Sequence, residues 1–280
     1  MITFLSIIVL LISYLTGRWT LDTGREFLLH AGVTAVNYKG EKIATSYGGF
    51  LAVVFLMLDA VVLGLAQWIP LFSYSLFAAT LAASITVVFL GWLDDTMGNH
   101  RDKGFAGHFR TLWKEGRFTT GFLKAAGGGV AAVVAAAVTS GGRGEVWLMH
   151  TLLIGLMTNW VNLLDLRPGR ALKFYLVAGA ALFLVGLGRG ETLLFLPLLG
   201  LASAVLKGDL SARFMLGDSG SNLLGIQLGM WLALVSPLWL VFLWTALLLA
   251  GHYIGETVSL TRLIEKNRLL SYLDRLGRLE

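Results

Sequence analysis

Cysteine is absent from the 280 residues. That excludes disulfides, thiolate metal centres and a cysteine nucleophile. Charge is scarce as well: Asp, Glu, Lys and Arg make up 14% of the chain, against 56% hydrophobic residues. Soluble domains carry about 25% charged residues, and the mean hydropathy here is +0.74, so the composition is that of a membrane protein. Long linkers and obvious repeats are also missing. Only "AAGGGVAAVVAAA" (Ala125 to Ala137) is low in complexity, and its small residues suit close helix packing in lipid. The net charge of +5 does not imply nucleic acid, because the basic residues fall between apolar runs and form no contiguous patch.

What the chain does have is nine apolar runs, at 2–16, 48–68, 73–93, 122–139, 146–164, 171–186, 192–206, 221–235 and 237–254. Runs of about 17–25 apolar residues suffice to span a bilayer as helices. The first run lacks a basic n-region and a small-residue cleavage site, so an uncleaved span is expected. Assigning the loops alternately puts nineteen lysines and arginines on one side and only Arg143 and Arg189 on the other, with Lys124 at a helix start. By the positive-inside rule the N-terminus lies outside and the C-terminus in the cytoplasm. The expected fold is therefore an all-α polytopic membrane protein of about nine transmembrane helices. Residues 1–254 form the membrane domain. Residues 255–280 form a cytoplasmic tail in which Leu260, Leu263, Ile264, Leu270, Leu273 and Leu276 line one face of an amphipathic helix, expected to lie on the membrane surface.

On this map the acids converge. Asp94 and Asp95 ("GWLDDTMGN") end the third run, Asn159, Asn162 and Asp165 ("NWVNLLDLRPGR") end the fifth, and Asp218 ("FMLGDSGSNLLG") opens the eighth. All fall at one depth of the cytoplasmic side, where ionisable residues usually mark a functional site. Each has an ordinary explanation: an interhelical hydrogen bond for an asparagine, a water-facing helix end for the Asp pair, a helix cap for Asp218. Spaced three apart, Asn159, Asn162 and Asp165 are expected as a polar stripe pointing into the bundle. A helix C-terminus disfavours negative charge, so Asp94 and Asp95 need a counter-charge from the basic loop or from a divalent cation. Carboxylates without cysteine or clustered histidine suit Mg2+ or Mn2+, not zinc. Lys42, Arg167, Arg170 and the basic residues of 101–117 surround the same face as candidate phosphate contacts. The helix start at "GDSGS", with Ser221, adds backbone N–H donors that suit an anion. The pair Gly48–Gly49 is too common to carry weight alone.

Taken in order, "KIATSYGG", "LDDTMG", "NWVNLLD" and "MLGDSGSNLLG" resemble motifs of the polyprenyl-phosphate N-acetylhexosamine-1-phosphate transferase superfamily. Its bacterial members serve peptidoglycan and surface-polymer synthesis. The resemblance runs from about Lys39 to Gly229. It implies an enzyme of the cytoplasmic membrane that transfers a sugar-1-phosphate from a UDP-activated amino sugar to a polyprenyl phosphate and releases UMP at the cytoplasmic face. It implies Mg2+ as cofactor (Mn2+ as substitute), with Asp218 and Asp94 as ligands and Asp94, Asp95, Asp165 and Asp218 at the catalytic centre. Asn162 and Asp165 would help hold the nucleotide end and the metal site, Lys42 and Lys124 the phosphates, with Asn159 and Ser221 as further candidate substrate contacts. UDP-sugar, polyprenyl phosphate and the bilayer are the expected partners, with a homodimer compatible.

The chain departs from the pattern in three places. Leu166 and Pro168 stand where the family continues with Gly and a second Asp. The histidine motif of the last cytoplasmic loop is missing, leaving only His252 near it, and the amphipathic tail stands in place of a tenth span. His108, in "HRDKGFAGHFRTLWKEGRFTTG", is a candidate substitute contact. These departures motivate a second reading, a non-catalytic relative that binds polyprenyl phosphate or nucleotide. A transporter working through Asp59 ("FLMLDAVVLG") is a third, but no inverted repeat or broken helix pair is visible.

Overall fold

The computed structural model describes residues 1–98 and 119–278. Each of the nine apolar runs is helical. We number the helices α1 (Ile2–His30), α2 (Tyr47–Ala66), α3 (Tyr74–Met97), α4 (Thr120–Thr139), α5 (Gly144–Leu164), α6 (Arg170–Val185), α7 (Leu196–Leu210), α8 (Gly217–Val235) and α9 (Leu238–Thr257). The tail adds α10 (Leu260–Lys266) and α11 (Arg268–Arg275). A two-stranded antiparallel hairpin, β1 (Thr34–Val36) and β2 (Lys42–Ala44), follows α1 and was not expected from the apolar pattern. Its turn is held by Asn37, whose side-chain oxygen accepts from the Lys39 and Glu41 amides, an Asx turn.

Among the described residues, six helices are long and apolar enough to cross a membrane: α1 to α5 and α9. The other three runs are helical but different in kind. Helices α6 and α7 have 16 and 15 residues, about 24 and 22 Å at 1.5 Å per residue. A 3-10 turn (Gly190–Leu194) precedes α7, and Pro197 sits in the first turn of α7, where its missing N–H costs nothing. Helix α8 is buried along almost its whole length.

Small residues let these helices approach closely, which replaces a hydrophobic driving force inside lipid. On α1 the buried stripe is Ser6, Val9, Ser13, Gly17, Leu21, Gly24 and Leu28. A Cβ on Gly17 would meet Ala204 Cβ at 2.8 Å, and one on Gly200 would meet Leu10 O at 2.7 Å, so α1 and α7 interlock. On α8, Gly225 and Gly229 form a Gly-x-x-x-Gly seam against Thr158 and Ile154 of α5. Buried hydroxyls turn back onto their own helices: Ser13, Thr80, Ser84 and Thr158 each donate to the carbonyl four residues earlier. No hydroxyl in that set is stranded in the apolar interior.

One end of the bundle gathers polar helix termini. The end of α1 meets the α7–α8 turn through Asp22 and Arg213, and Arg25 donates to the Arg213 carbonyl. Strand β2 continues across to the same turn, where Met215 N donates to Ala44 O (2.8 Å) and Ala44 bridges Phe214 in parallel.

Candidate functional site

Three helix ends meet at this pole. Asp94 and Asp95 lie in the last turn of α3, Lys124 in the first turns of α4, and Asp218 in the first turn of α8. Lys124 Nζ donates to Asp94 Oδ2 (2.8 Å) and to Asp218 Oδ2, so one ammonium draws the two carboxylates together. Thr120 Oγ1, one helical turn before Lys124, donates to the other Asp94 oxygen (2.6 Å). The side chains of Lys124, Asp94 and Asp218 keep 22%, 20% and 29% of their exposure. They therefore face an open mouth and not the core.

Asp95 does something else. Its oxygens accept from Ser46 Oγ (2.6 Å), Asp218 N (2.8 Å) and Ser219 N (3.2 Å). Those two amides are among the unpaired donors that every helix presents at its N-terminus. Asp95 thus caps α8 from a different helix, and hydrogen bonds that such groups donate to a carboxylate are each worth about 1.5–3 kcal/mol. Two expectations are corrected here. Asp218 is not the cap of its own helix, since Leu216 occupies the cap position. The N–H groups of "GDSGS" do not wait for a phosphate either, because Asp95 already fills that anion site and is itself consumed in doing so.

Glycines make this approach possible. Gly217 sits at φ +74°, and a Cβ there would meet Asp95 Oδ2 at 2.5 Å. A Cβ on Gly48 would run into the Gly220 backbone. Gly48 N donates to Leu216 O (2.9 Å), and Tyr47 stacks on Phe214 with centroids 4.0 Å apart. Gly48 is thus a contact the site depends on, which the commonness of Gly-Gly pairs obscured. Ser46 is another missed residue: it is buried, holds a left-handed φ of +52°, and donates to Asp95. A non-glycine residue in that region marks strain held by its surroundings.

The fifth apolar run contributes unevenly. Ser221 Oγ donates to Asn162 Oδ1 (2.8 Å) and ties α8 to α5. Ser221 is fully buried and supports the site through this bond. Asn159 is exposed: three residues advance a helix by about 300° and not a full turn, so the expected inward stripe is broken. Asp165 caps the end of α5, close enough to Asp209, Asp218 and Asp95 to feel their charge. Burial first, and then those like charges, push the Asp165 carboxyl well above its ordinary range.

The basic candidates separate in the same way. Lys42 is exposed on β2. Arg167 lies over the Tyr38 ring, 5.4 Å from its centroid. Arg170 is corrected outright: it is buried and forms a two-pronged pair with Asp274 of α11 (2.8 and 3.0 Å), so it is not free for phosphate. His252 lies inside α9, with Nδ1 at 2.7 Å from Leu248 O. His108, and the basic residues of 101–117, lie outside the described residues. Asp59 is buried in the middle of α2, with Oδ1 unpaired among the described residues.

Among the described residues no three acidic or histidine side chains converge as ready-made ligands for a metal ion. The donor chemistry nonetheless suits a hard cation: oxygens from Asp94 and Asp218 meet at one point, and a positive charge, the Lys124 ammonium, holds them there. An apolar groove of about 530 Å3 begins beside this cluster at Ser46 and runs between α2 and α3, walled by Phe50, Val53, Ile85, Phe89 and Trp92. No protein-family model matches the sequence, and no curated protein matches it; the chemistry of the site rests on its own residues.

Proposed function

We propose that this chain is a membrane phosphoglycosyl transferase of the polyprenyl-phosphate type, with about nine helices in the membrane, its N-terminus outside and its active face in the cytoplasm. The observation that carries the reading is the pairing of the partly exposed Asp94 and Asp218 near an apolar groove that starts at Ser46, the partner of Asp95. A lipid phosphate needs both: oil for its chain and controlled charge for its head.

In the proposed reaction an oxygen of the lipid phosphate attacks the β-phosphorus of a UDP-sugar. The bond from that phosphorus to the bridging oxygen breaks, UMP leaves with the electron pair, and a lipid-diphospho-sugar remains. Bringing two anions together is the main obstacle, so charge neutralisation and alignment dominate the barrier. Asp94 and Asp218 would hold a Mg2+ ion, which would supply that neutralisation. Lys124 holds the two carboxylates in place and offers its ammonium to phosphate oxygens. Asp95 fixes the start of α8, and with it the position of Asp218. Asn162, kept in place by Ser221, and Asp165 form the neighbouring wall where the nucleotide end fits.

The test is UMP release by purified protein with undecaprenyl phosphate, Mg2+ and a panel of UDP-sugars. Asp218→Asn is expected to abolish release while leaving the protein folded; wild-type turnover in that variant would remove Asp218 from the metal site. A second reading is favoured by Lys124, which neutralises the paired carboxylates internally: binding of polyprenyl phosphate without transfer. It predicts saturable binding of the lipid phosphate with no UMP formed from any sugar.

A further inference from the structure

The tail has two faces, and they meet different surroundings. Helix α9 ends at Thr257 and α10 starts at Leu260, so the tail emerges directly at the end of a membrane-length helix. On one face, Ser271 and Asp274 of α11 turn toward the body of the protein. Asp274 pairs with Arg170 and with Arg278 (2.6 Å), and Arg278 also donates to Pro168 O (2.8 Å). Lys173 Nζ donates to the carbonyls of Leu273 (2.8 Å) and Asp274 (2.6 Å) and so caps the end of α11, where a cation complements the helix dipole. Apart from the Asp274–Arg278 pair within the tail, these contacts land on 168–173, the segment that follows Asp165.

The opposite face is oil. Leu269, Tyr272 and Leu273 are 65%, 63% and 47% exposed, and Leu270 and Leu276 are exposed beside them. On a helix of 3.6 residues per turn, Leu269, Leu273 and Leu276 stack on one side, away from Ser271 and Asp274. Basic side chains flank that side. Between Val258 and Arg278 there are five basic and two acidic residues, and one of the acids, Asp274, is spent on Arg170. Arg262, Lys266, Arg268 and Arg275 are exposed. An exposed apolar face bordered by cations, on a helix at the end of a span, matches the interface of a bilayer bearing anionic lipids.

We propose that the tail is a clasp between membrane and site. Its apolar, basic-flanked face docks on an anionic lipid surface, and its polar face grips the 168–173 turn, so lipid charge sets how firmly the segment after Asp165 is held. This rests on the membrane-spanning reading of the helices and not on the transferase reading.

Because the chain has no cysteine, single thiols report on it directly. Leu273→Cys carries a nitroxide in the full-length protein, reconstituted in phosphatidylcholine vesicles with or without phosphatidylglycerol; Tyr272→Cys is the second choice on the same face. Collision with oxygen, which favours lipid, is compared with collision with a water-soluble nickel complex, and Glu265→Cys serves as the water-facing reference. The expected result is a loss of nickel accessibility at Leu273→Cys when phosphatidylglycerol is present, restored by adding Arg268→Glu and Arg275→Glu. Nickel accessibility equal to the Glu265→Cys reference in every vesicle overturns lipid docking. So does spin–spin broadening that grows with protein density, which would give the face to a second copy. For the grip, a nitroxide at Leu166→Cys is expected to lose mobility with phosphatidylglycerol and to regain it in Asp274→Asn. Mobility unchanged across these conditions overturns the coupling.

Discussion

Helices α8 and α9 follow one another with two residues between them, yet they meet opposite environments. Helix α8 carries Asp218, Ser219, Ser221, Asn222 and Gln227 and is buried nearly throughout. Gln227 reaches across to Ser84 (2.7 Å), and three glycines of α8, Gly220, Gly225 and Gly229, press against other backbones. Helix α9 is rich in large apolar residues and buries only Val241, Thr245 and Leu248 as a single stripe, while Trp239, Phe242, Leu247 and Tyr253 stand exposed. In lipid the usual sorting is reversed. Large apolar side chains gain nothing by leaving the bilayer, whereas small and polar ones gain close packing and hydrogen bonds by moving inside. The less hydrophobic helix is therefore the core of the molecule, and the site is built at its end.

That contrast can be broken by substitution, beginning with the most disruptive. Gly220→Val places side-chain atoms where Gly48 and Leu216 already lie. Such overpacking costs about 1–3 kcal/mol even where neighbours can shift, and here one neighbour is backbone. Loss of a monodisperse folded peak in detergent chromatography is expected, and a normal peak would show that α2 and α8 do not meet as described. Asp95→Asn comes next. It removes the charge from an acceptor of three hydrogen bonds, and about 2–4 kcal/mol of stability should be lost, read as a lower unfolding temperature. Preserved stability would mean that Asp95 caps nothing.

A smaller effect follows from acid. Burial alone would raise the Asp274 carboxyl, but the hydrogen bond and charge of Arg170, joined by Arg278, hold it below the usual carboxylate range. A lowered folded value stabilises the tail contact above the ordinary value of about 4. That stability is lost as the pH falls through the lowered value. Limited proteolysis between Val258 and Arg278 should therefore accelerate below about pH 4, and in Asp274→Asn at neutral pH. A tail equally protected at both pH values would sever this link. At the mild end, Phe242→Leu on the exposed side of α9 should leave stability within about 0.5 kcal/mol; a large loss there would mean that another chain covers α9.

Much of the fold was legible because apolar length is a direct property of the chain. All nine runs became helices, eight of them within a few residues of their expected ends, whereas α1 continues to His30, well past its expected end at 16; the convergence of Asp94, Asp165 and Asp218 on one pole follows from helix alternation alone. The spans were harder to count. Helices α6, α7 and α8 are apolar in sequence, but whether such a segment is wrapped by protein or by lipid depends on its neighbours. Asn159 shows the same gap at one residue: spacing put it near Asn162, and the 60° shortfall of three residues from a full turn left it outside.

The amphipathic tail was visible as an apolar stripe, but the ion pair joining Arg170 to Asp274 crosses 104 residues and leaves no local pattern. Lys124 was marginal in the sequence, standing 29 positions from Asp95. By itself the sequence determined a chain of apolar helices with acids at their alternate ends, because span length and charge placement are local quantities. Only the tertiary structure decided which acid does what. It gave Asp94 and Asp218 to the open mouth around Lys124, and it committed Asp95 to the amides of α8. The two members of a single Asp-Asp pair point about 100° apart on a helix, and each can meet only the partner that packing brings to its side.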